Sequence, residues 1–255
     1  MTQNFVSSVA IQFEYFDIQL NHPVWAGKKV LDFGGNIGNI LLDPNCKIEE
    51  ENYWCIDVSK SVIEEGQSRY PSATFTFYDS FNFSYNPQGI LGLPIPDIGV
   101  RFDLILAYSI FSHMDEDEMI EKVGQLIDLL SEDGTLIFTF LDPRFNGSDH
   151  YSNFQNITNL EKRLIKLNYG KIDMALLEKS KIAQHLFLVN GKELEENEEG
   201  EINPREEGDT LFSYYKPEYL KSIYDCEIKK PPHEPYYESY PAEMQHACII
   251  KKKRS

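Results

Sequence analysis

The stretch VLDFGGNIG, residues 30–38, decides the fold of this 255-residue chain. Its apolar first half is typical of a buried strand, and the glycines at positions 34, 35 and 38 predict a tight turn directly after it. A glycine-rich turn between a strand and a helix lets the backbone approach a ligand closely and aims helix N–H groups at it. The stretch therefore predicts the first strand and the ligand-binding loop of an α/β protein.

Strand-like apolar runs alternate with helical patterns from this stretch as far as residue 141. Strands are predicted at 53–57, 74–78, 102–107 and 135–141, and helices at 59–70 and 115–130. Pro44 follows the glycines so closely that the helix after the first strand must be short. The alternation predicts a mostly parallel sheet with helices on both of its faces.

The alternation stops at Asp142, and the strand pattern resumes at Leu211. Strands are then predicted at 211–215, 226–229 and 247–250, with a helix at 217–224. Residues 142–210 are therefore predicted to be a substrate-lid insertion, with helices at 159–167 and 172–181 and an apolar run at 186–189. One domain, 1–141 and 211–255, surrounds this insertion, and residues 1–26 of the domain are predicted to form a helical cap.

The net charge of −17 is unevenly distributed along the chain. Nine acidic residues and one basic residue lie between Glu193 and Asp209, in a Gly-, Asn- and Pro-containing stretch that is typical of a solvated loop. Because nucleic-acid binding needs local positive potential, the acidity counts against a nucleic-acid partner. The hydrophobic fraction of 42% is enough for one sizeable core.

The four cysteines form no CxxC pair and no Cys/His cluster at zinc spacing. We expect them to be reduced thiols in a cytoplasmic protein that holds no metal. The N-terminus shows no signal-peptide pattern, and no apolar run reaches about 18 residues, so we expect neither a signal peptide nor a membrane span.

Two further acids follow the next strands along the chain. Asp57 closes the second predicted strand about 20 residues after the glycines, where a carboxylate can accept hydrogen bonds from both hydroxyls of a ribose. Asp79 follows the third strand, where a side chain beside an adenine edge would lie. The GxGxxG pattern of dinucleotide-binding proteins is not met, and an acid, Asp32, precedes the first glycine. Because that acid suits an ammonium group better than a pyrophosphate, an adenosyl amino acid is favoured over NAD.

These segments together resemble the class I S-adenosylmethionine-dependent methyltransferases. Residues 30–38 resemble the first motif of the family, with Asn36 in place of the usual middle glycine, and 55–58 and 78–80 resemble the second and third motifs. Residues 102–114 are similar to the fourth-strand motif of small-molecule members, and 129–136 match the helix-to-fifth-strand signature. The resemblance covers 30–141 and resumes over 211–252. It implies a Rossmann-like, seven-stranded, mostly parallel sheet whose last strand is antiparallel.

The resemblance also implies S-adenosyl-L-methionine as cofactor, S-adenosyl-L-homocysteine as its product, and a set of binding residues. Asp32 would lie near the amino group of the methionine moiety, Asp57 would hold the ribose hydroxyls, and Val58 would pack on the adenine. The other predicted cofactor residues would line the methionine moiety, meet the adenine edge or face the cofactor from the fourth strand: Gly34, Gly35, Asn36, Gly38, Asp79, Ser80 and Tyr108.

The methyl acceptor has one candidate base and four candidate aromatic contacts. His113 follows the fourth strand on the side where the cofactor methyl would lie, and a hydroxyl acceptor benefits from a base. The same histidine could instead cap or orient the helix that begins at Asp115. Tyr15 and Phe16 could close over the site or be core residues, and Tyr214 and Tyr215 could line the acceptor pocket or be surface aromatics.

The absence of two motifs narrows the chemical class of the methyl acceptor. No Asn/Asp-Pro-Pro-Tyr/Phe follows the fourth strand, where amino-methylating nucleic-acid and glutamine enzymes carry it, and the paired acids of metal-dependent catechol methyltransferases are not evident. The sequence therefore predicts a metal-free enzyme, monomeric or homodimeric, that methylates a hydroxyl or carboxylate oxygen of a small molecule or peptide of natural-product type. The alternatives are methylation at nitrogen or carbon, transfer of another group such as aminopropyl from a related adenosyl sulfonium, and a non-catalytic partner with the same fold. An NAD-dependent oxidoreductase is disfavoured by the missing GxGxxG pattern.

Overall fold

The computed structural model of the chain describes residues 12–82, 85–114, 116–142, 184–189, 209–232 and 245–253, with strands 184–189 and 209–214 described by their backbone alone. These residues form four α-helices and nine strands. In chain order they are α1 (Gln12–Gln19), β1 (Val30–Phe33), β2 (Tyr53–Asp57), α2 (Lys60–Arg69), β3 (Thr74–Phe77), β4 (Phe102–Ala107), α3 (Glu116–Leu129), β5 (Leu130–Phe140), β6 (Gln184–Val189), β7 (Asp209–Tyr214), α4 (Pro217–Ile223), β8 (Cys226–Lys229) and β9 (His246–Lys251).

Seven of the strands form one sheet in the order β3-β2-β1-β4-β5-β9-β8. The first five strands pair in parallel, whereas β9 runs antiparallel to both β5 and β8. This arrangement confirms the predicted Rossmann-like, seven-stranded sheet with its reversed last strand. The strand order reverses between β1 and β4, so the loops that follow these two strands diverge and leave a crevice at the sheet edge.

The central strands are buried on both faces, because apolar side chains alternate between two core clusters. Val30 of β1 and Leu104 of β4 pack on the face that α1 covers, whereas Leu31 and Ile105, one position further along each strand, pack on the opposite face. The first face also receives α2, and the opposite face receives α3 and α4. Helices on both faces explain why β1 is apolar along nearly its whole length instead of alternating with polar residues.

The chain forms only a 3₁₀ turn, Asn39–Leu42, where a long helix commonly follows the first strand of such sheets. Asp43 ends the turn with extended backbone, and Pro44 comes next. A proline disfavours helical backbone in the residue before it and cannot donate a backbone hydrogen bond, so the turn cannot extend. The prediction of a short first helix is confirmed.

Strands β6 and β7 pair with each other in a separate antiparallel two-stranded sheet, with Gln184 opposite Tyr214 and Val189 opposite Asp209. The strand predicted at 211–215 is present as β7, but it does not join the seven-stranded sheet, which continues after β5 with β9 and β8. An apolar pattern predicts that a segment forms a strand, but it does not determine which strand pairs with it.

The boundaries of the lid insertion stay a prediction. The described residues do not include the predicted helices at 159–167 and 172–181 or most of the acidic stretch.

Helix α1 lies within the predicted N-terminal cap and is held by the buried carboxylate of Asp17. That carboxylate accepts hydrogen bonds from Trp25 Nε1 at 2.6 Å and from Lys47 Nζ at 3.0 Å. At the C-terminal end of the helix, Gln19 donates to the Lys230 carbonyl at 2.7 Å. These contacts hold α1 against the sheet. Within the described ranges, no helix is long and apolar enough to cross a membrane.

Candidate active site

The loop after β1 turns sharply because three of its residues adopt left-handed backbone. Gly34, Asn36 and Gly38 have φ values of 75°, 56° and 84°. The Gly34 N–H donates to the Ile56 carbonyl at 2.7 Å, so the loop stays against the end of β2. A Cβ atom on Gly34 would lie 2.1 Å from Cδ1 of Ile110, in the loop after β4. The left-handed backbone therefore favours glycine at this position, and a side chain would in addition displace Ile110.

Asp57, the last residue of β2, fastens the glycine loop to the start of α2. Its Oδ2 accepts the Asn36 N–H at 3.0 Å, and its Oδ1 accepts the Ser59 N–H at 2.9 Å. Burial raises the pKa of Asp57, and these backbone donors oppose the rise because they stabilise the carboxylate. The carboxylate lies at the crevice and holds the loop in shape.

Asp32 lies behind the glycine loop, and its carboxyl group does not line the crevice. It is buried, and its Oδ2 accepts a hydrogen bond from the Tyr53 hydroxyl at 2.8 Å. A Cβ atom on Gly35 would lie 2.5 Å from this carboxyl group, so only glycine leaves room for it. Burial raises the pKa of Asp32 to about 7; the hydrogen bond from Tyr53 lowers it, and the charge of Asp57 raises it further.

A cavity of about 430 Å³ occupies the crevice between the loops after β1, β2, β3 and β4 and the first turn of α3. Its wall includes residues from the predicted cofactor set and the predicted base. They are Gly34, Asn36, Asp57, Val58, Ser80, Tyr108 and His113. The volume lies in the range of sites that hold one small ligand.

The other predicted cofactor residues lie outside the wall. Gly35 and Gly38 shape the loop from behind, and Asp32 is buried under it. Asp79 is exposed, and its Oδ1 accepts a hydrogen bond from Asn86 Nδ2 at 3.1 Å. The roles of these four residues toward the cofactor stay predictions.

The predicted aromatic contacts of the acceptor lie one layer behind the cavity wall. Tyr15 and Phe16 meet the Tyr108 ring edge to face, with ring centroids 5.5 and 5.8 Å apart, and both are buried. Tyr215 is buried, and its hydroxyl lies 3.5 Å from the Met114 carbonyl oxygen. The burial of Tyr15 and Phe16 fits the core interpretation that the sequence left open for these two residues. Tyr215 is not a surface aromatic, and its contact with the acceptor stays a prediction. The side chain of Tyr214 lies outside the described part of the structure.

His113 ends a 3₁₀ turn, Phe111–His113, and its half-buried side chain lines the cavity. Sequence reasoning missed other wall residues, among them the polar residues Gln12, Ser109 and Glu118. Glu118 lies in the acidic first turn of α3, where an acid is ordinarily explained by the helix dipole. Because Asp57 and Glu118 both line the cavity and no Lys or Arg does so among the described residues, this part of the wall favours neutral or cationic groups.

The described residues contain no group of three or more His, Cys, Asp or Glu side chains that could hold a metal ion. The absence of a metal from the reaction stays a prediction, because other parts of the chain lie outside this description.

The glycine loop, the carboxylate at the end of β2 and the cavity at the point of strand reversal define a class of protein. It is a doubly wound α/β protein whose ligand crevice lies outside the carboxyl ends of β1 and β4. Residues 31–136 match the model of a family described as a methyltransferase domain. Over these residues the chain carries a methyltransferase domain with the class I fold, and the protein is an enzyme with S-adenosylmethionine as its cofactor.

Solved structures share the fold over nearly the whole chain. An S-adenosylmethionine-dependent methyltransferase from Clostridium acetobutylicum has a TM-score of 0.52 at 13% identity and covers 96% of this chain and 91% of its own. One from Methanosarcina mazei has a TM-score of 0.52 at 13% identity, with coverages of 93% and 98%. The CcbJ methyltransferase from Streptomyces caelestis has a TM-score of 0.50 at 12% identity, with coverages of 96% and 89%. At these identities the likeness concerns the fold. No curated protein matches the chain.

Proposed function

We propose that this enzyme methylates an oxygen atom, in the first place a hydroxyl group, of a small molecule or peptide of natural-product type. The observation that supports the proposal is that His113 shares one cavity wall with Asn36, Asp57 and Val58 of the predicted cofactor set. A methyl acceptor must lie beside the cofactor, and an imidazole in the same cavity can take the proton of a hydroxyl as it becomes a nucleophile.

The residues present at the cavity fit the cofactor. Asp57 offers carboxylate oxygens to ribose hydroxyls, and Val58, Ile56 and Phe81 offer apolar surface to an adenine. Ser80, which the resemblance assigns to the adenine edge, also lines the cavity. When bound, S-adenosylmethionine supplies an electrophilic methyl group on a sulfonium sulfur. The chain's own contribution is to align the acceptor, exclude water and receive the proton.

Charge favours a hydroxyl over a carboxylate as acceptor. The described wall carries Asp57 and Glu118, and it carries no Lys or Arg that could pair with an acceptor carboxylate. A buried charge without a partner is costly, so a carboxylate substrate would be held poorly against this wall. A neutral hydroxyl has no such cost.

The carboxylate of Glu118 favours methylation of an amine as the second candidate function. A carboxylate on the wall can hold an ammonium or amine acceptor by a charge-assisted hydrogen bond. Methylation at carbon and a non-catalytic role have no such support from the described wall. The predicted lack of a nucleic-acid partner, the monomeric or homodimeric state and the cytoplasmic location stay predictions.

A mass-shift screen with isotopically labelled S-adenosylmethionine tests the proposal. The panel holds alcohols, phenols, amines, carboxylic acids and short peptides, each peptide also with a blocked carboxyl group. We expect labelled products from hydroxyl compounds; products from amines alone would support the second candidate, and products from carboxylic acids alone would contradict the charge argument. Binding of S-adenosylhomocysteine without any product would favour a non-catalytic partner.

The role of His113 is tested on the first acceptor that the screen finds. We expect His113→Gln to lower turnover of a hydroxyl acceptor by about 100-fold, because a positioned base contributes at least that much. The dissociation constant of S-adenosylhomocysteine should stay within about twofold. His22→Gln is the matched control, since His22 is exposed and does not line the cavity. Unchanged turnover in His113→Gln would leave His113 with the helix-orienting role.

A further inference from the structure

A buried polar network joins four distant parts of the chain beside the cavity. Gln245, immediately before β9, donates from Nε2 to Ser109 Oγ at 2.9 Å, and its Oε1 accepts the Thr139 hydroxyl at 2.6 Å. The Gln245 carbonyl accepts the Tyr15 hydroxyl of α1 at 2.7 Å. Thr139 is 0% exposed and Gln245 is 1% exposed. The network therefore lies within the protein, where each of these hydrogen bonds replaces contact with water.

Ser109 is the member of this network that reaches the cavity wall, and its backbone is strained. It has a φ of 59°, in the left-handed region that non-glycine residues rarely adopt. Its N–H donates to Thr139 Oγ1 at 2.7 Å, and its Oγ lies 3.4 Å from Ser112 Oγ. A strained residue persists only where its surroundings hold it, and such residues concentrate at functional sites. At Ser109 the surroundings are the hydroxyl of Thr139 and the amide of Gln245.

The same network reaches the cavity wall through a second route. Tyr15, which donates to the Gln245 carbonyl, also meets the Tyr108 ring edge to face. Tyr108 and Ser109 are consecutive wall residues after β4. Ser109 is therefore held by its hydrogen bonds to Thr139 and Gln245, and Tyr108 is held by its ring contact with Tyr15. Both Thr139 and Tyr15 in turn donate hydrogen bonds to Gln245.

We propose that Thr139 and Gln245 are positioning residues, which hold the Tyr108–Ser109 wall segment in the shape that binds the cofactor. Neither residue lines the cavity among the described residues, so each acts through Ser109 or Tyr15. The inference rests on the cofactor assignment and does not depend on the identity of the methyl acceptor. It gives a function to two buried polar side chains, one within β5 and one immediately before β9, where apolar side chains would satisfy the core alone.

Two substitutions at Thr139 distinguish the role of its hydroxyl in holding Ser109 from the role of its side-chain volume in core packing. Thr139→Val keeps nearly the same side-chain shape and removes the hydroxyl, and Thr139→Ser keeps the hydroxyl and removes a methyl group. We expect Thr139→Val to weaken S-adenosylhomocysteine binding at least fivefold by calorimetry, and Thr139→Ser to stay within about twofold of the unaltered protein. Thr135→Val is the matched control, because Thr135 lies on the same strand and face and does not line the cavity.

The outcomes distinguish the proposal from its alternatives. If Thr139→Val binds S-adenosylhomocysteine as tightly as the unaltered protein does, the proposal is overturned. Equal weakening in Thr139→Val and Thr139→Ser would also overturn it, because the effect would then come from altered core packing and not from the lost hydroxyl. If Thr139→Val does not fold, Ser109→Gly decides, because glycine keeps the left-handed backbone and removes the hydroxyl that Gln245 contacts. We expect Ser109→Gly to bind at least threefold more weakly at an unchanged melting temperature, and unchanged binding would overturn the proposal. Failure of the unaltered protein to bind S-adenosylhomocysteine would instead contradict the cofactor assignment.

Discussion

At the scale of single residues, Asp57 combines ligand binding with loop structure. Each of its oxygens accepts one backbone N–H, from Asn36 and Ser59, and the carboxylate still lines the cavity. A carboxylate oxygen has more than one lone pair, so these hydrogen bonds leave acceptor capacity for ribose hydroxyls.

We predict that Asp57→Ala weakens S-adenosylhomocysteine binding at least tenfold, because the ribose loses its acceptor and the glycine loop loses its fastening. Isothermal calorimetry measures the affinity, and thermal unfolding measures the accompanying loss of stability. Asp128→Ala is a matched control, since Asp128 is exposed on α3 and does not line the cavity. Binding by Asp57→Ala at the affinity of the control would show that the ribose site lies elsewhere.

The buried Asp32 predicts a pH dependence of stability. Its pKa is raised from 3.8 to about 7, so between these values the folded state binds a proton that the unfolded state has lost. A group that holds its proton more tightly in the folded state stabilises the fold at low pH, and this contribution disappears as pH rises toward 7. The dominant cause is burial, which disfavours the charged carboxylate.

We predict that Asp32→Asn, which cannot ionise, gains stability relative to the unaltered protein as pH rises. Between pH 4.5 and 7.5 the difference in free energy of unfolding should change by about 3 kcal/mol in favour of the variant, at 1.36 kcal/mol per pKa unit. Urea unfolding at several pH values measures this difference, which should level off above pH 7. Parallel pH profiles would contradict the buried, protonated state of Asp32.

At the scale of elements, the glycine loop depends on its contact with the loop after β4. Gly34 has a left-handed φ of 75°, which disfavours a side chain, and a Cβ at this position would also have to displace the side chain of Ile110. Both loops carry wall residues of the cavity. A change in the packing between them is therefore expected to reach the cavity wall.

We predict that Gly34→Ala lowers the free energy of unfolding by about 2 kcal/mol or more and also weakens S-adenosylhomocysteine binding. Gly124→Ala is the matched control, because Gly124 lies in α3, and beyond its chain neighbours and the backbone of the helix no described atom lies within 4 Å of its added Cβ. Since alanine favours a helix, the control should gain about 0.5–1 kcal/mol. Adding Ile110→Ala to Gly34→Ala should restore part of the loss, and no restoration would show that backbone strain alone is responsible.

At the scale of the whole molecule, the acidity divides into a few placed carboxylates and one acid-rich stretch. Asp32 and Asp57 lie at the glycine loop, whereas eight acids and one base lie in residues 193–208, between strands β6 and β7. The net charge of −17 therefore describes the cofactor site poorly.

We predict that replacing residues 193–208 with a short Gly/Ser loop leaves S-adenosylhomocysteine affinity within about twofold, because both strands of the β6–β7 sheet are kept. Calorimetry measures the affinity of the variant. A second variant carries a loop as short as the Gly/Ser loop but with eight acidic residues. Comparison of the two variants separates the effect of charge from the effect of loop length. A large loss in the neutral variant alone would place these acids at the cofactor site.

Much of this architecture could be predicted because its signals are local. Strand β1, its glycines and Asp57 at the end of β2 are each readable within a few residues, since side-chain periodicity and turn chemistry act over short separations. Even the short turn before Pro44 follows from the sequence alone. The five motifs in order then indicated the sheet and the cofactor.

Other features depended on residues that meet only in the folded chain. Burial of Asp32 behind Gly35, the pairing of β7 with β6 and the position of Tyr15 behind Tyr108 have no local signal. Gln245 meets Ser109 across 136 residues of sequence. The sequence by itself determined the sheet, the loop and the kind of cofactor, because these follow from local backbone preferences and residue chemistry. Only the tertiary structure decided which polar groups support the cavity wall, because partners across the sheet are chosen by packing that no single segment contains.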